Sequence, residues 1–163
     1  MTYRAALALI AAAGAGAAGH AMVEPVAGGP AIVTGVANPA RARQNWILKC
    51  QGCHRADASG SPRTTPAMAG IIGRFLATPE GRTYLVQVPG VATAALPDEE
   101  LAELLNWTLL RFDAAHVPGD FTPYTASEVG RLRRTPLRTE AAQVRTRIIA
   151  ALGGDRGTLP STD

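Results

Sequence analysis

Both cysteines of this 163-residue chain fall in one pentapeptide, Cys50-Gln51-Gly52-Cys53-His54. No disulfide framework can tie distant parts of such a chain together, so a hydrophobic core must hold the fold. The composition allows one, because 47% of the residues are apolar and the length suits a single ordinary domain. A charged fraction of 18% and a mean hydropathy of +0.06 exclude a wholly disordered chain. Beyond the N-terminus no stretch holds about 18 uncharged apolar residues, which excludes a multispan membrane protein. Aromatics make up only 5%, and Lys49 is the single lysine. That is poor material for stacking on bases, so no nucleic-acid partner is expected.

The first segment reads as an address. Met1-Thr2-Tyr3-Arg4 carries one positive charge, Ala5 to Ala18 is small and apolar, and Gly19-His20-Ala21 puts small residues at the positions a signal peptidase requires. Residues 1–21 are therefore expected to be a signal peptide rather than an anchor, since the run is mostly alanine and glycine. The mature chain would then be periplasmic and hold two histidines, His54 and His116. Residues 22–37, rich in glycine, proline and small residues, are expected to form a flexible leader.

The rest of the pattern is helical. Asn38-Pro39 matches an N-cap followed by proline at the first helical position, and predicts a helix from Pro39 to about Cys50 with Ala42, Trp46 and Cys50 on one face. Residues 56–70 read as a loop, and Ile71 to Ala77 as a short apolar segment. Thr78-Pro79 opens a helix to about Gln87, which Val88-Pro89-Gly90 breaks. The strongest helix follows Pro97, with Leu101, Leu104, Leu105, Thr108, Leu109 and Phe112 on one side and acids at its positive end. Thr125-Ala126-Ser127-Glu128 has the capping-box pattern for a helix to about Arg134. A last helix starts near Glu140, with Val144, Ile148 and Leu152 four residues apart and Gly153 as its stop. No strand alternation is visible, so the fold class is all-α.

The pentapeptide carries the chemistry. Two thiols three residues apart at a helix end lie about one turn from each other, where they can add to the two vinyl groups of a haem. The adjacent His54 can then bind the iron, its other ring nitrogen being held by a backbone carbonyl. Zinc would need four protein ligands, and the mature chain offers only His116 beyond the pentapeptide. A thioredoxin-like pair would need a βαβ context. A disulfide closing so small a loop would stabilise little and gives histidine no reason to follow.

With these residues in place, the chain resembles the class I monohaem c-type cytochromes over about Asn38 to Phe112. CxxCH, Trp46 four residues before Cys50, Ala42 four before that, and Trp107 on the later helix carry the likeness, with Pro66-Ala67-Met68-Ala69-Gly70 similar to the family's Pro-x-Leu-Ala-Gly. The resemblance implies a cytochrome c domain over 38–112 that holds one covalent haem c, Ala42, Trp46 and Trp107 backing the haem, and the Pro66 carbonyl orienting His54. It departs at the sixth iron ligand, because Val88 to Ala95 contains no methionine. His116 and Met68 remain as candidates, beside an empty or water-filled position; by the resemblance, Met68 would pack on the histidine side.

Residues 113–163 lie outside the likeness and read as a helical extension. Phe121 and Tyr124 suggest that it is strapped onto the domain. Arg131, Arg133, Arg134, Arg138, Arg145 and Arg147 form either a solvated helix face or a docking surface, and Arg74 and Arg82 are candidate propionate partners. The expected function is a periplasmic electron carrier with no substrate transformed. Its partners would be redox proteins such as a periplasmic dehydrogenase, a membrane oxidoreductase or an oxidase, with membrane contact at most peripheral. The alternative is a haem protein with an open sixth position for gas binding or peroxidatic chemistry.

Overall fold

The computed structural model describes residues 35–153; the signal-peptide expectation and most of the expected leader lie outside this range. Among the described residues the regular structure is helical, and Ser61 and Thr65 form an isolated antiparallel bridge. Helix α1 (Pro39–Lys49) starts as expected, the Asn38 side chain accepting from the Arg41 amide. A kink at Cys50 ends it one residue early, and α2 (Gln51–His54) follows at once. The apolar stretch after the loop is a 3₁₀ segment, Ile72–Ala77. Helix α3 (Pro79–Gln87) is capped by the Thr78 hydroxyl, which accepts from the Gly81 amide.

Val88-Pro89-Gly90 does break α3, but it also begins another element. Pro89 takes the first position of a one-turn helix, α4 (Pro89–Ala92), where its missing N–H costs nothing. Helix α5 (Asp98–Asp113) forms the spine, and Leu101, Leu104, Leu105, Thr108 and Leu109 are buried as its period requires. A 3₁₀ turn, Ala114–His116, leads into the extension, which contains α6 (Ala126–Leu132) and α7 (Ala141–Ala151). The glycine stop after α7 holds, with Gly153 at φ +88°.

Among the polar joints that fasten the extension to the rest, four gather buried or half-buried side chains. Asn106 of α5, 1% exposed, donates to the Gly35 and Tyr124 carbonyls and accepts from the Tyr124 amide. This joint also corrects the expected leader: its last residues belong to the folded body, since Val36 is buried and the Gly35 carbonyl is tied to α5. Arg82 of α3 binds both carboxylate oxygens of Glu128 at 2.7 Å, donates to the Thr122 carbonyl and lies 4.1 Å above the Tyr124 ring. The Glu128 side chain is thus spent on Arg82, and only the Thr125 half of the expected capping box forms. Arg133 donates to the carbonyls of Ala92, Ala94 and Leu96 and to Asp98, closing the α4–α5 loop from outside.

The fourth joint lies at the C-terminal end of α5. Buried Asp113 accepts from the Gly73 amide at 2.7 Å and from His116 Nδ1 at 2.6 Å, while Arg74 meets His116 Nε2 at 2.9 Å. Guanidinium has no acceptor, so Nε2 must be the acceptor there and the ring proton sits on Nδ1.

Candidate functional site

The kink at Cys50 builds the site. Its amide still donates to the Trp46 carbonyl at 2.9 Å, so α1 is completed, while its own carbonyl accepts from Cys53 at 3.2 Å and His54 at 3.0 Å. Both thiols and the imidazole therefore sit on one short turn. Both cysteines are free, Cys50 half-buried and Cys53 exposed. Burial first, and the neighbouring Cys53 second, push the Cys50 thiol up to about 11. After His54 the chain turns sharply, with Arg55 at φ +65°, ψ 168°, a region that L residues rarely enter. Ala58 is also left-handed, at φ +60°, and fully buried.

This tight return carries Pro66 to His54. Burial lowers the affinity of the half-buried imidazole for a second proton, and the Pro66 carbonyl works in the opposite direction. Gly60 permits the approach. It has φ +71°, its amide donates to the His54 carbonyl at 3.0 Å, and a Cβ there would lie 2.3 Å from the Thr65 oxygen and 2.8 Å from the Pro66 oxygen. Gly60→Ala is therefore expected to cost about 2 kcal/mol, read as a lower urea midpoint at unchanged m-value. An unaltered midpoint would show that the loop relaxes without strain.

Beneath the turn lies an aromatic floor. Trp46, 2% exposed, has its ring centroid 6.2 Å from His54, 4.7 Å from Phe112 and 6.3 Å from Trp107, and Phe112 meets Trp107 edge-on at 5.7 Å. Ala42, with no exposed surface, lies one turn earlier on the same face of α1, which packs across α5. The structure thus brings together Trp46, Cys50, Cys53, His54 and Pro66. It holds His116 elsewhere, between Asp113 and Arg74, with both ring nitrogens engaged. Met68 is half-buried against the core, its amide bound to the Ala58 carbonyl at 2.9 Å.

The donor set suits a porphyrin better than a bare ion. Among the described residues no three His, Cys, Asp or Glu side chains are grouped to hold a metal. Two buried side-chain atoms there lack a hydrogen-bond partner, Trp46 Nε1 and His54 Nδ1, and both belong to this site. Orphaned polar atoms are costly in a finished core and are concentrated here beside the free thiols. Arg82 is held by Glu128, Thr122 and the Tyr124 ring in the joint to the extension, which corrects its reading as a propionate partner.

The chain is 35% identical over 108 residues to a cytochrome c-552 of Thermus thermophilus, covering 55% of this chain and 82% of that protein. It belongs to the c-type cytochromes. A second cytochrome c-552 of the same organism is also 35% identical over 108 residues, covering 55% of this chain and 72% of the relative. No family model and no solved structure matches the chain. The cofactor of this cytochrome is haem c, and its all-α fold is that of the class I members. Among its described residues no helix is long and apolar enough to cross a membrane.

Sequence reasoning missed Arg133 as an individual. It stands in an arginine-rich run in which nothing marks it from its neighbours, and only the path of the α4–α5 loop gives it a role.

Proposed function

We propose that this cytochrome carries single electrons outside the cytoplasm, with haem thioether-linked to Cys50 and Cys53 and its iron held by His54. The observation that carries this reading is the placement of two free thiols and a half-buried imidazole on one turn above Trp46. Bound haem supplies an iron that alternates between ferric and ferrous states. The chain's own residues would do the rest: the Pro66 carbonyl lies close enough to His54 to orient the imidazole, whose Nδ1 is otherwise unpaired, and Trp46, Trp107 and Phe112 would exclude water beneath it. The partners in this reading are redox proteins such as a periplasmic dehydrogenase, a membrane oxidoreductase or an oxidase.

The test is mass analysis of material expressed with a haem-maturation system, followed by redox titration. The expected result is loss of residues 1–21, one haem on the peptide spanning Cys50 to Cys53, and a reversible one-electron wave. An unmodified peptide would overturn the attachment.

His116→Ala and Met68→Leu are both expected to leave the spin state unchanged, because His116 is held by Asp113 and Arg74 and Met68 is packed into the core. A low-spin to high-spin change in His116→Ala would show that the ring leaves both partners to bind iron. The alternative, an open sixth position that takes small ligands, is not favoured by the likeness to the cytochromes c-552. Rapid carbon monoxide binding to the ferrous protein would favour that reading, and an unresponsive spectrum the carrier.

A further inference from the structure

The geometry points to the groove between α3 and α7 as a binding site for a small organic monocarboxylate with a flat apolar body. The groove has a volume of about 390 Å³, near the lower end of the range for small-molecule pockets. No residue of α1 or α2 lines it, so the assignment stands apart from the haem attachment proposed above.

The groove is tied at both ends. At the C-terminal end of α3 the Gln87 side chain donates to the Thr135 hydroxyl at 2.7 Å, and the Gln87 carbonyl accepts from the Leu137 amide at 2.9 Å. At the other end Glu80 accepts from Arg147 at 2.9 Å. Between these ties the lining residues of α3 recur at three- and four-residue steps, which keeps them on one helix face. The floor is the Tyr84 ring, 8% exposed and stacked on Phe75 with centroids 5.4 Å apart. Leu137 and Val144 supply apolar wall.

Two donors beside this floor have no acceptor among the described residues. Half-buried Arg145, next to Val144 in α7, lies 5.9 Å from the Phe75 ring centroid and acts on the Tyr84 hydroxyl, yet it meets no carboxylate. Burial pushes the Tyr84 hydroxyl up by more than Arg145 pulls it down, so it keeps its proton and can donate. A guanidinium can only donate, and with a phenolic hydrogen beside it the complement is an oxyanion. The other charges of the lining, Glu80 and Arg147, offset each other, so one positive charge is left to be matched by one negative charge. A second negative charge on the ligand would meet Glu80. The Tyr84 ring and the aliphatic walls suit an aromatic body.

The test titrates ¹⁵N-labelled holoprotein with benzoate, and separately with acetate and with inorganic phosphate, at fixed ionic strength. The expected result is saturable amide shifts at Thr83, Tyr84, Leu137 and Val144, with a dissociation constant for benzoate on the order of a millimolar and weaker binding of acetate and phosphate. Arg145→Gln should weaken benzoate binding about tenfold, and Tyr84→Phe, which keeps the ring, severalfold. Glu80→Gln should tighten it and narrow the gap to phosphate. Arg134→Gln, at an exposed arginine outside the groove, should change nothing. Circular dichroism and haem absorption of each variant separate loss of the ligand from loss of the fold.

Shifts that rise without saturating, or phosphate that binds as well as benzoate, would mean an adventitious ion only and overturn the assignment. So would equal losses in Arg145→Gln and Arg134→Gln, because net charge would then explain the binding. A saturable shift map centred on residues 50–54 would move the anion to the haem site. If Arg145→Gln does not fold, the other two variants still decide: Tyr84→Phe and Glu80→Gln are expected to move the affinity in opposite directions, and a change of the same sign in both would overturn the site.

Discussion

Trp46→Ala is expected to cost about 4 kcal/mol of stability, the largest single effect in the chain. The indole is 2% exposed and touches Phe112 and Trp107 of α5 as well as His54, so truncation opens a cavity at the crossing of two helices. Relaxation is restricted, because α1 is pinned on this side by Asn45 to Glu100 and Arg41 to Glu103. Trp46→Phe keeps most of the volume and should cost about 1–2 kcal/mol. Urea denaturation of the holoprotein checks both values, with the haem absorption band as an independent reading of the His54 environment. A loss below about 1 kcal/mol for alanine would mean that the aromatic floor does not support the turn above it.

Arg133→Ala should follow closely, at about 3 kcal/mol. The arginine is the donor for three loop carbonyls and for Asp98, so its removal leaves several acceptors to find water in a half-closed space. The Asp98 contact contributes little of this, since that carboxylate is 42% exposed and screened by solvent. Arg133→Lys separates fork geometry from charge: a lysine keeps the cation but cannot reach three diverging carbonyls, and it should recover less than half of the loss. Denaturation midpoints and amide exchange at Thr93, Ala94 and Leu96 measure the effect. Full recovery by lysine would show that charge alone matters.

What could be read in advance was whatever depends on neighbours in sequence. Asn38-Pro39 and Thr78-Pro79 start helices because cap and proline act within one turn, and α5 shows its buried face because its period is local. The turn that gathers Cys50, Cys53 and His54 was legible for the same reason, since all three lie within five residues. The joints were not. Arg82 finds Glu128 across 46 residues, Arg133 finds Ala92 across 41, and His116 binds Arg74 across 42. No local pattern separates those side chains from solvated ones. Val88-Pro89-Gly90 was half legible: proline ends α3, yet the same ring suits the first position of α4.

A chain delivered from its N-terminus, whether by synthesis or by threading across a membrane, presents these parts in a fixed order. Cys50 to His54 emerge before Trp107 and Phe112, and well before the arginine that locks the α4–α5 loop. During that interval the turn has no floor to close upon, and both thiols are within reach of whatever enzyme modifies them. The last third of the chain arrives later still and fixes α3 and the α4–α5 loop, so the turn with both thiols emerges early and the packing around α5 is completed late.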